Sequence, residues 1–372
     1  MKGTNYMLGI VGFGGMGNWH RETIDTIDGI EIAGIYDIDE ARKSYAKEVG
    51  VRSYDSLEEL LKDDQIDIVL VATPNDLHKP IAIQAMRAGK NVVSEKPVTL
   101  NSSDLQEMID VSKETGKLFT VHQNRRWDED YLTMKKIYEE QKLGEVYRIE
   151  SRVHGSRGIP GDWRQEKEHG GGMVLDWGVH LLDQILQMMG TTKLKTVYAT
   201  VTNITNTLVD DGFTAQLGFE NGVDVVVEVG TSNFIALPRW YMIGQNGTAI
   251  IEDWSLKGRI VRAVGKNEED VVPVRTAAGL TKTMAPRRDD TISTEDLDIV
   301  KSDIRDFYRN VMKAIAGEEE QKIKLPEVMR VMKLMEAIFE SSEKKQVIFF
   351  ESIGYFMDKT VGVGQESHIY VF

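Results

Sequence analysis

The sequence predicts an α/β protein in which a domain with a doubly wound parallel sheet precedes a second domain with a mixed or antiparallel sheet and helices on one face. Short apolar runs alternate with helical patterns in the first third of the chain, and repeated strand–helix units imply a parallel sheet. Later, Asn-Gly dipeptides separate longer strand-like runs, which indicates tight antiparallel hairpins. The length of 372 residues also favours two domains, because single cores usually split beyond about 250–300 residues.

The first domain is expected to cover residues 1–124. Its strand-like runs are nearly continuous in Val, Ile, Leu and Ala, which is typical of strands that are covered on both faces. The predicted strands are residues 7–12, 31–36, 66–73, 91–95 and 118–121, and helical patterns occupy residues 18–26, 56–61 and 81–88.

The second domain is expected to cover residues 125–351. Asn221-Gly222 and Asn246-Gly247 are its hairpin signals, and residues 264–294 are polar enough to predict an irregular excursion. The predicted strands are residues 148–154, 197–205, 212–219 and 223–230, and the predicted helices are residues 173–189, 297–316 and 326–342.

Composition excludes several classes of function. The chain has 59 acidic and 45 basic residues, a net charge of −14, which argues against nucleic-acid binding. Without cysteine it has no disulfide, thiol nucleophile or thiolate metal ligand. No apolar run approaches the roughly 18 residues of a spanning helix, and the N-terminal residues lack the features of a signal peptide. We therefore expect a cytoplasmic soluble protein with no membrane partner.

A glycine-rich turn after the first strand matches the pattern G-x-G-x-x-G. Gly12 would permit the tight turn, Gly14 would let backbone N–H groups approach a pyrophosphate, and Gly17 would let the helix pack on the sheet. The N-terminus of the following helix favours an anion. The predicted cofactor-binding turn consists of Gly12, Phe13, Gly14, Gly15, Met16 and Gly17.

Asp37 stands 20 residues after Gly17, at the end of the second predicted strand. A carboxylate there binds the ribose hydroxyls of NAD and would repel the 2′-phosphate of NADP, and Ile38 offers no replacement positive charge. The pattern therefore predicts NAD as the cofactor. The alternative is a nucleotide-free turn in which Asp37 caps a loop.

The third and fourth predicted strands also end in polar loops, at the sheet edge where such folds bind ligands. Thr73, Pro74 and Asn75 follow the third strand and are candidate cofactor contacts, with an ordinary turn as the alternative. His78 is a further candidate contact, for which a helix-end position is the alternative.

Ser94-Glu95-Lys96-Pro97 follows the fourth strand. A lysine partly desolvated beside a nicotinamide would have a lowered pKa suited to proton transfer. The alternative for Lys96 is a solvated surface residue that pairs with Glu95.

A second polar constellation lies on the predicted helix that begins after Gly170-Gly171-Gly172. Asp176, His180 and Asp183 fall at i, i+4 and i+7, which predicts one polar stripe on an otherwise apolar helix. Asp176 and His180 could form an acid–base pair, and a purely structural hydrogen bond is the alternative. One histidine with two carboxylates is too few ligands for a typical metal site, so no metal is expected.

Together these motifs resemble the Gfo/Idh/MocA oxidoreductases, which include inositol dehydrogenases and glucose–fructose oxidoreductase. The resemblance extends over about residues 6–351 and rests on the glycine turn, Asp37, Glu95-Lys96-Pro97 and the Asp176/His180 helix. It implies that Lys96 and His180 transfer protons and that Asp176 helps to hold a sugar or polyol. It also implies a Rossmann domain followed by a C-terminal α/β domain with a large, mostly antiparallel open sheet. That second sheet is expected to form the interface of a homodimer or homotetramer.

The same resemblance places further residues beside the cofactor or substrate. The implied contacts are Glu95, Lys96, His122, Gln123, Asn124, Trp163 and Arg164. The alternative to a cofactor contact for Trp163-Arg164 is a structural role, in which the tryptophan packs and the arginine forms a salt bridge. The chain departs from the family pattern in two segments, the glycine-rich residues 157–162 and residues 352–372. Residues 352–372 are expected to form an arm across a subunit interface or to be disordered.

The leading functional interpretation is an NAD-dependent dehydrogenase that oxidises a secondary hydroxyl of a sugar, glycoside or cyclic polyol. Two alternatives remain open. One is a glycoside-cleaving or eliminating enzyme that uses NAD transiently, and the other is an inert NAD-binding regulator. The combination of Lys96, Asp176 and His180 argues against the regulator.

Overall fold

The computed structural model describes residues 5–265 and 272–350, and among those residues it contains two large β-sheets, one two-stranded sheet and nine α-helices. The expectation of an extension at residues 352–372 lies outside the described residues. The excursion expected at residues 264–294 is largely irregular where described, with one small hairpin, β13 (Val274–Thr276) and β14 (Gly279–Thr281).

The first sheet has five parallel strands in the order β2-β1-β3-β4-β5. All five predicted strands are confirmed. The central residues of β1, β3, β4 and β5 are buried, as expected for strands that are covered on both faces, whereas β2 at the sheet edge is half-buried at its centre. The strands are β1 (Tyr6–Val11), β2 (Ile30–Tyr36), β3 (Ile68–Val71), β4 (Asn91–Ser94) and β5 (Phe119–Val121).

Five helices accompany this sheet, and side-chain caps begin three of them. Asp39 accepts a hydrogen bond from Ala41 N, Ser56 accepts one from Glu59 N, and Asn101 accepts one from Asp104 N. The helices are α1 (Gly15–Ile24), α2 (Glu40–Glu48), α3 (Leu57–Lys62), α4 (His78–Arg87) and α5 (Ser102–Thr115).

The second sheet has nine strands in the order β15-β12-β11-β10-β6-β9-β8-β7-β16. Only the pair β6 and β9 is parallel, and every other neighbouring pair is antiparallel. The strands are β6 (Val146–His154), β7 (Leu194–Thr202), β8 (Gly212–Phe219), β9 (Asp224–Gly230), β10 (Trp240–Gly244), β11 (Gly247–Ile251), β12 (Gly258–Ala263), β15 (Ile292–Asp296) and β16 (Ile348–Phe349).

Both predicted hairpins are present. Asn221-Gly222 connects β8 to β9, where Gly222 has a φ of +84°, and Asn246-Gly247 connects β10 to β11. These turns set the register in which Ala215 opposes Val227 and Met242 opposes Ala249.

The helices of the second domain are α6 (Glu129–Glu139), α7 (Val179–Met189), α8 (Arg305–Ile315) and α9 (Leu325–Lys344). The helix predicted over residues 297–316 is too long, because α8 begins only at Arg305, after a turn in which the Asp303 carboxylate accepts a hydrogen bond from Arg305 N. A π-helical turn (Val174–Gly178) precedes α7. No helix within residues 5–265 and 272–350 combines the length and the apolar composition of a membrane span.

Helices α8 and α9 return to the first domain. Tyr308 on α8 contacts His20 on α1 at 2.5 Å, and Glu336 on α9 accepts hydrogen bonds from the backbone N–H and the hydroxyl of Ser102. Helix α9 also packs against β7 of the second sheet. The two domains therefore share the last two helices, which fixes the cleft between them.

The face of the second sheet that no helix covers carries a ladder of ion pairs. Arg148 pairs with Glu150 and Asp224 at 2.7 and 2.5 Å, and Arg152 pairs with Glu150 and with Glu228. Although they lie on this outer face, the side chains of Glu150 and Arg152 are only 13 % and 11 % exposed. The outer face is therefore polar at its centre rather than an apolar patch.

Candidate active site

The candidate active site lies in the cleft between the two domains, where the carboxyl ends of the parallel strands face the carboxyl end of β6. In the first sheet these strand ends lead into the glycine turn and the loops after β3, β4 and β5. The second domain contributes the carboxyl end of β6 and the π-helical turn before α7.

The glycine turn has the geometry that a dinucleotide requires. Gly12 has a φ of +91°, and a Cβ there would lie 2.6 Å from Ala72 O. A Cβ on Gly17 would lie 2.2 Å from Gly12 O, whereas one on Gly14 or Gly15 would meet nothing within 4 Å. Gly14 caps α1 without a side-chain hydrogen bond, so the first N–H groups of the helix are free for a phosphate.

Asp37 supports the turn directly. Its carboxylate accepts hydrogen bonds from Phe13 N at 2.6 Å and from Asp39 N at 2.9 Å. Each carboxylate oxygen has a second lone pair, so a ribose hydroxyl can still donate to it. The neighbouring Ile38 is 83 % exposed and supplies no positive charge. The contact of Asp37 with a ribose stays a prediction.

Several buried polar atoms near the cleft have no hydrogen-bond partner in the described part of the chain. Thr73 Oγ1, Gln123 Oε1 and Asn124 Oδ1 all follow strands of the first sheet. Buried polar atoms are costly unless they are paired. A bound ligand would satisfy them, so these residues and the glycine turn fit a nicotinamide dinucleotide.

The loop after β3 holds the second domain. Asn75 is buried and its Nδ2 donates a hydrogen bond to Gly170 O at 3.0 Å. The predicted cofactor contact of His78 is not supported, because the side chain is fully buried and its two ring nitrogens lie 2.9 Å from Pro97 O and Thr73 O. His78 therefore supports the loops that bear Thr73 and Lys96.

Lys96 and Asp176 meet across the cleft. Lys96 Nζ donates to Asp176 O at 2.8 Å and lies 3.2 Å from Asp176 Oδ1, and the two side chains are 16 % and 15 % exposed. Burial tends to raise the pKa of Asp176, but the charges of Lys96 and Arg164 outweigh it and hold that pKa below its usual value. The structure therefore brings together two of the three predicted catalytic residues, one from each domain.

His180 is 4 % exposed, and its Nδ1 is buried without a hydrogen-bond partner among the described residues. Burial, reinforced by the charges of Lys96 and Arg125, lowers the pKa of the imidazole well below its usual value. The ring is consequently neutral near pH 7. A neutral imidazole can accept a proton at one nitrogen and donate at the other.

The predicted polar stripe is only partly correct. Asp176 lies on the π-helical turn and pairs with Lys96, so it forms no acid–base pair with His180. Asp183 makes a bidentate pair with Arg126 at 2.7 and 2.8 Å instead of facing the cleft. The extra residue per turn of a π-helix changes which side chains share a face, and the sequence spacing does not reveal it.

Asp210 holds the start of this π-helical turn. Its carboxylate accepts a hydrogen bond from Val174 N at 2.8 Å, and its backbone carbonyl accepts one from Met173 N. A Cβ on Gly172 would lie 2.2 Å from Asp210 Oδ1, which explains the glycine. Burial raises the pKa of Asp210 to about 6.

Protein groups occupy the Glu95 carboxylate, which argues against its predicted contact with the cofactor. It is 5 % exposed, and its Oε1 lies 2.7 Å from His20 Nε2 and 2.8 Å from His122 Nδ1. Its Oε2 accepts a hydrogen bond from Lys96 N, and His20 Nδ1 contacts the Tyr308 hydroxyl. This buried network supports the backbone of Lys96.

The same network has three groups that could hold a metal ion, since their ligand atoms all lie within 4.8 Å of one another. The histidine nitrogens lie 2.7 and 2.8 Å from one shared oxygen of Glu95, which are hydrogen-bond distances. Ligands that share a zinc ion at about 2.0–2.1 Å in a tetrahedral arrangement stay farther apart than this. The geometry favours hydrogen bonding.

Trp163 and Arg164 form a helical turn at the mouth of the cleft. The Arg164 guanidinium lies 4.5 Å from the centre of the Trp163 ring and pairs with Asp162 at 2.8 Å and with Asp176 at 3.4 Å. The packing and salt bridge given as the alternative for this pair are therefore present. They also connect the pair to Asp176.

A cluster of two tryptophans and two arginines was not predicted. The Arg125 guanidinium lies 4.3 Å from the centre of the Trp177 ring, and the Arg239 guanidinium lies 4.9 Å from that of Trp254. The Trp177 ring lies 5.9 Å from the rings of both His180 and Trp254. These residues come from four separate segments, so no local sequence pattern could have revealed the cluster.

Comparison with protein families gives two matches along the chain. Residues 7–123 match the model described as "Oxidoreductase family, NAD-binding Rossmann fold", and residues 131–250 match the "GFO/IDH/MocA C-terminal domain". The two matches together cover more than half of the chain.

Curated relatives agree with this assignment. An uncharacterised oxidoreductase of Schizosaccharomyces pombe is 31 % identical over 327 residues, which are 82 % of this chain and 87 % of the relative. The scyllo-inositol 2-dehydrogenase (NADP(+)) IolW of Bacillus subtilis is 27 % identical and covers 92 % of this chain and 96 % of its own.

A solved structure is similar over nearly the whole chain. The crystal structure of an NAD-binding protein from Listeria innocua is 46 % identical, with a TM-score of 0.91, over 93 % of this chain and all of that one. The architecture of both domains is therefore shared with an experimentally determined structure.

Proposed function

This chain belongs to the Gfo/Idh/MocA oxidoreductase family, an NAD-binding family, and on that premise we propose that it oxidises a secondary hydroxyl of a sugar, glycoside or cyclic polyol to a ketone. The observation that carries the proposal is the contact of Lys96 with Asp176 across the cleft, beside a neutral His180. The named scyllo-inositol dehydrogenase among its relatives supports a polyhydroxylated substrate.

The reaction converts a secondary alcohol and NAD⁺ to a ketone, NADH and a proton. The bound nicotinamide supplies the hydride acceptor, and the protein must hold the carbinol and remove the hydroxyl proton. Neutral His180 accepts that proton, and the Lys96 ammonium stabilises the negative charge that develops on the oxygen. Asp176 holds Lys96 in place and accepts a hydrogen bond from a neighbouring substrate hydroxyl.

Absorbance of NADH at neutral pH, measured against a panel of inositols, monosaccharides and methyl glycosides, tests the proposal. We expect NADH to accumulate with at least one member of the panel. Conversion of a glycoside without NADH accumulation would favour the transient-redox alternative. Tight NAD binding with no conversion of any compound would favour a regulator and contradict the proposal.

A further inference from the structure

We propose that the site extends beyond the reacting ring to a second subsite, formed by Trp177 and Trp254, that binds another sugar ring. The substrate is then a glycoside of at least two rings rather than a free monosaccharide or inositol. This inference rests on the proposed function and narrows its substrate class.

The first argument is position. Trp177 follows Asp176 directly, and its ring packs edge-on against His180, whereas Trp254 lies one ring farther away at 5.9 Å. Trp254 stands in the turn between β11 and β12, at the end of the sheet where β6 reaches its carboxyl end. The two indoles therefore lead outward from the catalytic residues to the rim of the cleft.

The second argument is rigidity. The Arg125 guanidinium lies over the Trp177 ring and pairs with Asp128 at 2.9 Å. Buried Arg239 lies near the Trp254 ring and pairs with Asp130 at 3.1 Å. An aromatic ring attracts a cation that lies over its face, and each of these arginines is also fixed by its ion pair with a carboxylate. Both rings are therefore held in place before any ligand binds, which lowers the entropic cost of binding.

The third argument is exposure. Trp254 is 51 % exposed although it belongs to this anchored cluster, so much of an indole surface remains open to solvent beside the site. The C–H groups on the face of a sugar ring are apolar, and they pack favourably against an aromatic ring. Arg125 Nε is buried without a hydrogen-bond partner among the described residues, which leaves a donor for a sugar oxygen.

The test compares two-ring and one-ring substrates in steady-state oxidation. The two-ring probes are maltose, trehalose, cellobiose and lactose, and the one-ring probes are the methyl glycosides of glucose and galactose, with myo- and scyllo-inositol. For the wild type we expect kcat/KM to be higher for a two-ring probe than for the methyl glycoside of its oxidised ring. In Trp254→Ala this ratio should fall by roughly 3- to 10-fold, as expected for the loss of one aromatic contact.

Two variants serve as controls. Trp254→Phe keeps an aromatic ring and should retain most of the two-ring preference. Tyr147→Ala removes an aromatic residue of similar exposure, 49 %, at the opposite end of β6, and should leave the ratio unchanged. Oxidation of inositols or methyl glycosides with no dependence of the ratio on Trp254 would overturn the subsite and leave the proposed function intact.

Two further readouts separate the remaining outcomes. If no probe is oxidised, the proposed function fails, and calorimetric titration of the disaccharides into the NADH-loaded protein decides the subsite. Disaccharide binding that is weaker in Trp254→Ala than in the wild type would then support the subsite. Equal binding, or no binding, in both proteins would overturn the subsite. A smaller oligomer in Trp254→Ala by light scattering, with unchanged substrate ratio, would assign the exposed indole to contact with a second copy and overturn the subsite.

Discussion

At the scale of single residues, the structure separates side chains that can touch a ligand from those that support them. Lys96 and Asp176 meet across the cleft, and buried His180 lies close enough to Lys96 for its charge to lower the imidazole pKa. Glu95 and His78 are equally close to the motifs in sequence, but they are buried against other protein groups. Motif membership therefore does not distinguish a contact with the cofactor from support of the loop that makes it.

The preference for NAD over NADP is a prediction at this scale, and it depends on Asp37. The carboxylate already binds Phe13 N and Asp39 N, so a 2′-phosphate would meet a fixed negative charge. Asp37→Ala should weaken NADH binding and narrow the difference from NADPH, as measured by fluorescence titration of both cofactors. Tighter binding of NADPH than of NADH by the wild type would show that Asp37 does not select the cofactor.

At the scale of elements, the π-helical turn before α7 places Asp176, and Asp210 begins that turn. The pKa of Asp210 is raised to about 6, first by burial, so its ionisation opposes folding. Because the pKa of Asp210 is raised in the folded state, the protonated carboxyl contributes fully to the free energy of unfolding below about pH 4. This contribution is lost as the pH rises through about 6. Asp210→Asn should therefore increase the free energy of unfolding at pH 8 by up to about 3 kcal/mol and raise the Tm accordingly. At pH 4 the variant and the wild type should differ little.

The adjacent Asp211 provides a control with the opposite sign. Burial tends to raise its pKa, but hydrogen bonds from Thr205 N and from the hydroxyls of Thr202 and Thr205 lower it. Asp211→Asn should lower the Tm at pH 8, and the loss should diminish as the pH falls through the depressed pKa. Thermal denaturation of both variants from pH 8 to below the ordinary aspartate pKa of about 3.9 checks the pair, and equal shifts in one direction would contradict the account.

Most elements of the first domain could be predicted because their apolar runs, caps and glycine turn are local signals. The hairpin at Asn221-Gly222 was predictable for the same reason. The predicted start of α8 was wrong, because the apolar pattern continues through the turn at Asp303 that precedes the helix. The tryptophan cluster and the Glu95 network depend on contacts between distant segments, so no local pattern predicts them.

At the scale of the whole molecule, oligomerisation through the outer face of the second sheet remains a prediction. The ion-pair ladder on that face is flanked by half-buried Tyr241, Ile243 and Ile250, a mixed surface that suits a subunit interface. Light scattering at micromolar concentration should give a dimer or tetramer. A particle of 42.0 kDa, the mass of one chain, would contradict the prediction.

The central claim is that proton transfer requires Lys96 from the first domain and His180 from the second. His180→Ala should lower kcat by roughly 10²–10⁴-fold, the usual effect of removing a general acid–base group. Lys96→Ala should lower kcat by roughly 10²–10³-fold, the usual effect of removing a group that stabilises a developing oxyanion. The combined variant should lose less than the product of the two effects, because the residues act as one unit.

Steady-state kinetics with calorimetric NAD⁺ titration on each variant is the most direct measurement of this claim. We expect the Kd for NAD⁺ to stay within about threefold of the wild type, because neither side chain contacts the glycine turn, while kcat falls as stated. Near-normal kcat in Lys96→Ala or His180→Ala, on a substrate that the wild type oxidises, would contradict the account.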